Sequence, residues 1–436
     1  MIKRILSIAA AICCLSNTIT AQHGKYVGGD ISLIPQYELH NSPYLDKEGN
    51  KIEDLVVWLA KECNWNTFRV RLFVNPNGMS NDGKNVDPAV CQDLEYVKSL
   101  GKRIKDAGAN FMLDIHYSDT WVDAGHIQAP EAWKNMSVDQ KTAQIATYTH
   151  ETLQALKTAG ATPDLVQVGN EIMFGFMGIK VAPYDKTDSQ WDNYLKILKA
   201  GCEAVREECP KAQIIVHTDR PKEVESARYY YGKLETAGID YDVIGLSYYP
   251  FWHGNLTDLK KGLDGLKKDF PNKKVQIVET GYYFQYWPTT GINYNTQNIW
   301  PASPDGQYNF IKDLIKSLAD YEQVEGLLYW FPEDAGNGDD TNWDTSKGTV
   351  LAGWTNRGFW WPSQSNEGHW PVCNNQKESA LELFKNFLNP NITALESLKS
   401  TDNSQEHVYY NILGQRVHQL QRGQIYFVQG KKIIYQ

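Results

Sequence analysis

Two glutamates each close an apolar run: Glu171 in Val166-Gln167-Val168-Gly169-Asn170-Glu171, and Glu279 in Val275-Gln276-Ile277-Val278-Glu279. An acid at the end of a buried strand is half desolvated yet open to a ligand, the condition under which carboxyl groups acquire shifted pKa values and do proton chemistry. Singly, such an acid caps a following helix or pairs with an arginine as readily as it catalyses. As a facing pair, the two supply what cleavage of a glycosidic bond requires. One protonates the leaving oxygen and the other attacks or assists at the anomeric carbon, about 5–5.5 Å away if configuration is retained. Asn170, directly before Glu171, offers an amide to a sugar hydroxyl beside the reacting carbon, or else only turns the chain after Gly169. Arg69 and Arg71 flank Val70 and share one face, where they could hold the attacking carboxylate ionised or form a structural ion pair. Tyr248 and Tyr249 are equal candidates for a hydrogen bond to that carboxylate.

Other residues of sugar-binding type fall where β-rich runs end: Asp30, His116, Tyr117, Asp119, Trp121, His217 and Trp330, with Trp252 and Trp354 in loops. Each Trp alone is as readily a packing residue. His116, His126 and His217 raise a zinc reading, but no HExxH or two-His-carboxylate spacing accompanies them. No metal ligands are assigned and no cofactor is expected to be required. The run from Glu333 to Asp340 is rich in oxygen ligands for a structural calcium, and reads more simply as a solvated acidic loop. A Gly-x-Ser-x-Gly nucleophile elbow is absent, which removes the footing for an esterase.

The elements that must position these residues alternate. Eight β-rich runs recur: Tyr26 to Ser32, Thr67 to Val74, Asn110 to His116, Leu165 to Gly169, Gln213 to His217, Val243 to Tyr249, Val275 to Glu279 and Gly326 to Phe331. Helix-patterned segments separate them, among them Ile52 to Cys63, Asp93 to Ala107, Ser137 to Ala159 and Ser189 to Glu208. Strand alternating with helix argues for a parallel sheet, and near-continuous apolar strands argue that both its faces are covered. Eight such units predict an α/β fold of the (β/α)8 barrel (TIM barrel) class, with active residues at the C-terminal ends of the strands. The 108 positions from Glu171 to Glu279 then span three βα units, which puts the pair on strands four and seven. An open doubly wound sheet is the alternative, and Gly28-Gly29-Asp30 does not supply its GxGxxG fingerprint.

The charged start and apolar run of residues 1–21 read as a secretory signal peptide ending at Ala21. The run is shorter than a bilayer crossing needs, and Ile12 before Cys13 speaks against lipidation. Residues 22–390 are expected to form the barrel and 391–436 a short C-terminal β-rich appendage, which resembles the C-terminal sorting or attachment tails of Bacteroidetes secreted proteins. The expected location is therefore secreted, periplasmic or at a bacterial cell surface, with membrane attachment only through lipidation or the tail. Five cysteines follow residue 21 without metal-type spacing, so one bridge fits and a disulfide framework does not. A net charge of −9 without a basic block excludes the electrostatic footprint of a nucleic-acid binder. The 14 Trp and 25 Tyr instead favour a partner with flat apolar faces and polar edges, as sugars have. A monomer is expected.

Seven segments carry a more specific resemblance: Gly28-Gly29-Asp30-Ile31-Ser32, Phe68-Arg69-Val70-Arg71, Leu113-Asp114-Ile115-His116-Tyr117-Ser118-Asp119-Thr120-Trp121, Val166 to Ile172, Gly245-Leu246-Ser247-Tyr248-Tyr249-Pro250, Val278-Glu279-Thr280-Gly281-Tyr282 and Pro301 to Gln307. Over about residues 25–388 the chain resembles the arabinogalactan endo-β-1,4-galactanases of glycoside hydrolase family 53. That resemblance implies a retaining (β/α)8 hydrolase of galactan or arabinogalactan, with Glu171 as acid/base and Glu279 as nucleophile. It departs at Tyr286 to Asn295, where many bacterial relatives carry a calcium-binding segment, so calcium and product length do not carry across. Two other functions fit the same residues: a related barrel β-glycanase acting on mannan, cellulose or xylan, and a secreted non-catalytic galactan-binding protein.

Overall fold

The computed structural model describes residues 24–39, 43–285, 287–288, 291–335, 356–362, 368–388, 409–411, 416–417, 424–428 and 431–434. The proposed signal peptide and Trp354 lie outside them.

Eight parallel strands close on themselves: β1 (Tyr26–Asp30), β2 (Thr67–Leu72), β3 (Asn110–Ile115), β4 (Leu165–Val168), β5 (Gln213–Thr218), β6 (Val243–Tyr248), β7 (Lys274–Thr280) and β8 (Val324–Trp330). The seam is β1 on β8, in register from Tyr26↔Gly326 to Asp30↔Trp330. That closure confirms the (β/α)8 barrel and excludes the open sheet. Helices occupy the expected intervals with local reasons for their limits. The helix Val138–Thr158 starts at a reciprocal capping box between Ser137 and Gln140, and Leu94–Asp106 starts at Asp93, whose carboxylate accepts the Tyr96 N–H. Each such cap contributes about 1 kcal/mol. Leu94–Asp106 buries Val97, Leu100 and Ile104 at helical spacing against the barrel's outer face.

Alternation along the strands decides what faces the interior. Tyr26, Met112, Leu165, Ile215, Val243, Val278 and Leu328, one from each of seven strands, make an apolar layer inside the barrel. Beneath it, Gln213 and Gln276 donate to Glu325 at 2.9 and 3.3 Å, a hydrogen-bonded polar floor. Above it stand Arg69, Asp114, Gln167, His217 and Ser247, all buried. Residues of opposite parity, such as Phe68, Val70, Ile244, Leu246 and Tyr248, point outward into the main core under the helices.

One irregularity matters to the site. Between β6 and β7 the register runs Leu246↔Ile277 and then Ser247↔Glu279, so Val278 is an extra residue in β7. Such a bulge lets two consecutive side chains share a face. Val278 joins the inner layer and Glu279 also faces inward.

Residues 389–436 form a separate compact unit. Its described strands make a four-stranded antiparallel sheet in the order Arg416–Val417, Tyr409–Asn411, Ile425–Val428, Lys431–Ile434. Cys63, Cys91, Cys202, Cys209 and Cys373 are all free thiols. Among the described residues, no helix is long and apolar enough to cross a membrane.

Candidate active site

A cleft of about 680 Å³ opens where the strands end, lined by Glu171 and Glu279 together with Arg69, Arg71, His116, Trp121, Asn170, Asp219, Tyr249, Trp252 and Trp330. The chain leaves β4 by a tight turn. Gly169 has φ +82°, and a Cβ there would lie 2.6 Å from the Ile172 side chain, so the position requires glycine. Glu171 itself has φ +48°, in the left-handed region. A non-glycine residue pays roughly 1–2 kcal/mol for that conformation, and it aims the carboxyl back over the barrel toward β6.

There Ser247 Oγ donates to Glu171 Oε1 at 2.6 Å and stands 3.5 Å from Glu279 Oε2. Two oxygens so placed around one hydroxyl are at most about 6.1 Å apart, the sum of those two distances. The pair expected on strands four and seven thus meets in one cleft. Behind Ser247, His217 Nε2 lies at 2.9 Å, while the Glu171 N–H and Gln167 Nε2 point at His217 Nδ1 from 3.3 and 3.1 Å. The Asn170 carbonyl oxygen also lies 3.0 Å from Nδ1; the two N–H groups aimed at that nitrogen outnumber it and favour the tautomer in which Nε2–H donates to Ser247. Burial, then the Arg69 charge, push His217 well below the usual imidazole range, so the ring is neutral.

Glu279 is held from two other sides. Arg69 Nη2 lies 2.9 Å from Oε1, and the Tyr249 hydroxyl donates to Oε2 at 3.0 Å. Arg69 is a buried hub that also meets Asp30 at 2.9 Å, Asp114 at 2.7 Å and the Asn170 carbonyl at 2.9 Å. Burial opposes its charge, but Asp114, Glu279 and Asp30 more than reverse that and keep the guanidinium protonated. Burial likewise works against ionised Asp114, and Arg69 followed by His116 hold it below the ordinary carboxylate value.

The two glutamates are shifted unequally. Burial, then Asp219 and then Glu279, drive Glu171 well above the usual value. Burial also lifts Glu279, less strongly, against the pull of Arg69 and the Tyr249 hydroxyl. The one negative charge the pair carries most readily therefore sits on Glu279. Asp219 is pushed up to about 7 by burial.

Of the two arginines, Arg69 meets Glu279, whereas Arg71 pairs with Asp30 at 3.0 Å and lies between the rings of Trp121 and Phe331, 4.4 and 4.5 Å from their centroids. Phe331 stacks on Trp330 at 3.8 Å. His116 borders the cleft with both ring nitrogens engaged: Val122 N–H reaches Nδ1 at 3.3 Å and Asp114 lies 3.1 Å from Nε2. Trp121 and Trp252 are fixed by their indole N–H groups, to Asp87 and to the Gly291 carbonyl. Asp30 and His217 lie beneath the cleft surface and brace what lines it.

Three expected positions are not brought to the cleft. Tyr248 is buried and donates to the Gly254 carbonyl. Tyr117, at φ +49°, reaches Thr149 under the following helix. Asp119 accepts the N–H groups of Asn75 and Glu131 beside a separate polar pocket of about 350 Å³. The solvated-loop expectation also needs correction at its start: Glu333 and Asp334 are buried, accepting the Leu33 N–H and the Tyr37 hydroxyl. Residues 336–340 lie outside the described residues. Ser247 had no expected role and Tyr249 stood level with Tyr248, although parity held the signal. They share the inward side of β6 with Val243 and Gly245, opposite Tyr248.

Residues 26–386 match the model of the family described as Glycosyl hydrolase family 53. An endo-beta-1,4-galactanase of Bacillus subtilis is 30% identical over 346 residues, 77% of this chain and 75% of the relative. An arabinogalactan endo-beta-1,4-galactanase of Thermothelomyces thermophilus is 31% identical over 323 residues, 70% of this chain and 89% of the relative. Among solved structures, the GH53 catalytic domain of Ignisphaera aggregans is similar, with a TM-score of 0.69, 25% identity, and coverage of 83% of this chain and 96% of that one.

Proposed function

The chain belongs to glycosyl hydrolase family 53 and is a glycoside hydrolase; on that premise we propose that it cuts internal β-1,4 linkages of galactan or arabinogalactan with retention of configuration. Glu279 is the nucleophile and Glu171 the general acid/base. The observation that carries this reading is the single Ser247 hydroxyl bordering both carboxyl groups, with its ceiling of about 6.1 Å on the distance between the oxygens it faces. As a bound on one oxygen of each carboxyl group, that ceiling admits the roughly 5–5.5 Å of a retaining pair and falls short of the roughly 6.5–9.5 Å that leaves room for a water in an inverting enzyme.

In the first step Glu279 attacks the anomeric carbon while the protonated Glu171 gives its proton to the departing glycosidic oxygen. Arg69 and Tyr249 favour the ionised form of the nucleophile through charge and hydrogen bonding. Forming the ester to Glu279 removes the negative charge that helped keep Glu171 neutral, so the pKa of Glu171 falls and it becomes the base for the incoming water. That water cleaves the ester with the configuration restored. Asn170 is fixed by Arg69 and the Val122 carbonyl, which leaves one amide hydrogen for a sugar hydroxyl near the reacting carbon. Trp121, Trp252 and Trp330 supply apolar faces to the galactosyl rings.

Galactan is the substrate on the strength of the named relatives. The composition of residues 1–21 supports export, with residues 22–390 as the catalytic barrel, 391–436 as a tail and a monomeric protein. The test is a panel of potato galactan, β-mannan, cellulose and xylan, with product sizing and NMR of the first-formed anomer. Oligosaccharides from galactan alone, born as the β-anomer, are expected. Preference for another polymer, or an initial α-anomer, overturns the reading. Glu279→Gln is expected to lose about 10⁴-fold or more in turnover while still binding galactan.

A further inference from the structure

The proposed roles give the cleft a direction. The ring under attack lies by Glu279, Arg69, His116 and Trp330, and the departing chain leaves past Glu171 toward the loops that follow β4 and β5. On that side, three residues beyond Glu171, the Phe174 ring lies under Arg220, with the guanidinium carbon 4.7 Å from its centroid. Arg220 lines the cleft and is steered by Asp219 at 3.4 Å and Glu223 at 3.3 Å. Tyr184 extends the same group outward, its ring 6.5 Å from that of Phe174 at an interplanar angle of 50°. It is 74% exposed, so core packing does not account for it.

We propose that Arg220, Phe174 and Tyr184 form the platform that holds the departing oligogalactoside. This rests on the galactanase reading and adds where the leaving-group sugars bind. A galactosyl ring offers an apolar C–H face to an aromatic side chain and hydroxyls at its rim to a guanidinium. Glu223 already faces the charge of Arg220 at 3.3 Å, so the site suits a neutral sugar rather than an anion.

Tyr184 is the position to test, because its exposure lets it be changed without touching the core. In the full-length protein, Tyr184→Ala is expected to lower kcat/KM on long galactan about two- to tenfold, and Tyr184→Trp to restore it. On a nitrophenyl β-galactobioside, whose leaving group ends before the platform, both variants should match the parent protein. Equal losses on both substrates, or no loss on galactan, overturn the platform. A parent protein that leaves galactan intact overturns the substrate reading instead, so the two failures are distinct.

Discussion

Ser247 Oγ lies 2.9 Å from His217 Nε2, and the other nitrogen of that imidazole receives the backbone N–H of Glu171. Because Ser247 in turn donates to Glu171 Oε1, three hydrogen bonds close a ring that fixes both ends of the acid residue. A neutral imidazole suits this position, since it donates at one nitrogen and accepts at the other.

Ser247→Ala opens the ring. The lost hydrogen bond favoured ionised Glu171, so the pKa of the acid rises and the alkaline limb of kcat/KM moves to higher pH. Turnover falls roughly ten- to a hundredfold as the carboxyl loses its aim. A pH profile checks both, and an unmoved alkaline limb contradicts the ring's effect on the acid.

Tyr249→Phe removes a donor from Glu279. Its pKa rises, the acid limb moves up and kcat falls about tenfold or more. Tyr248→Phe, one residue earlier, leaves the profile alone and shows only in a lower melting temperature, because its hydroxyl holds the Gly254 carbonyl. Matching profiles for the two variants would remove the distinction.

Glu171→Ala is expected to cost several orders of magnitude on galactan and far less on a dinitrophenyl galactoside, whose leaving group needs no proton. Added azide should restore turnover and give a β-galactosyl azide. Equal losses on the two substrates would argue that Glu171 is not the acid.

His253 accepts the Tyr249 N–H at 3.0 Å, and burial, then Arg220 and Lys222, push its pKa down to about 3. The unfolded chain takes a proton near pH 6.5 and the folded one does not, so stability drains away as pH falls below 6.5. The loss reaches about 2 kcal/mol at pH 5. His253→Gln removes this term, so the fall in melting temperature from pH 7 to 5 should be smaller in the variant than in the parent. Identical slopes would show that the imidazole does not carry it.

The barrel was legible because eight β-rich runs with helical intervals leave few other topologies. The meeting of the two glutamates in one cleft was legible because each ends an apolar strand. Tyr249 over Tyr248 could have been read from the two-residue period that already groups Gly245 with Ser247. The partition between Arg69 and Arg71 could not: both face inward, and only the depth of each side chain decides which meets Glu279. Tyr117 and Asp119 were expected at the cleft and are not there, because β3 ends at Ile115, after which alternation lapses and the left-handed conformation of Tyr117 turns its own side chain away. Nor does composition reveal that Glu333 and Asp334 are buried, since their partners, Leu33 and Tyr37, lie some 300 positions earlier.

The additional residue in β7 has a larger consequence than its size. Under strict pleating Gln276 and Val278 look into the barrel and Glu279 looks out at the helices, where no sugar could reach it. The insertion keeps Glu279 paired with Ser247 on β6 while Val278 completes the apolar layer below it. A single surplus residue thus lets one strand serve the barrel's filling and its open mouth at once.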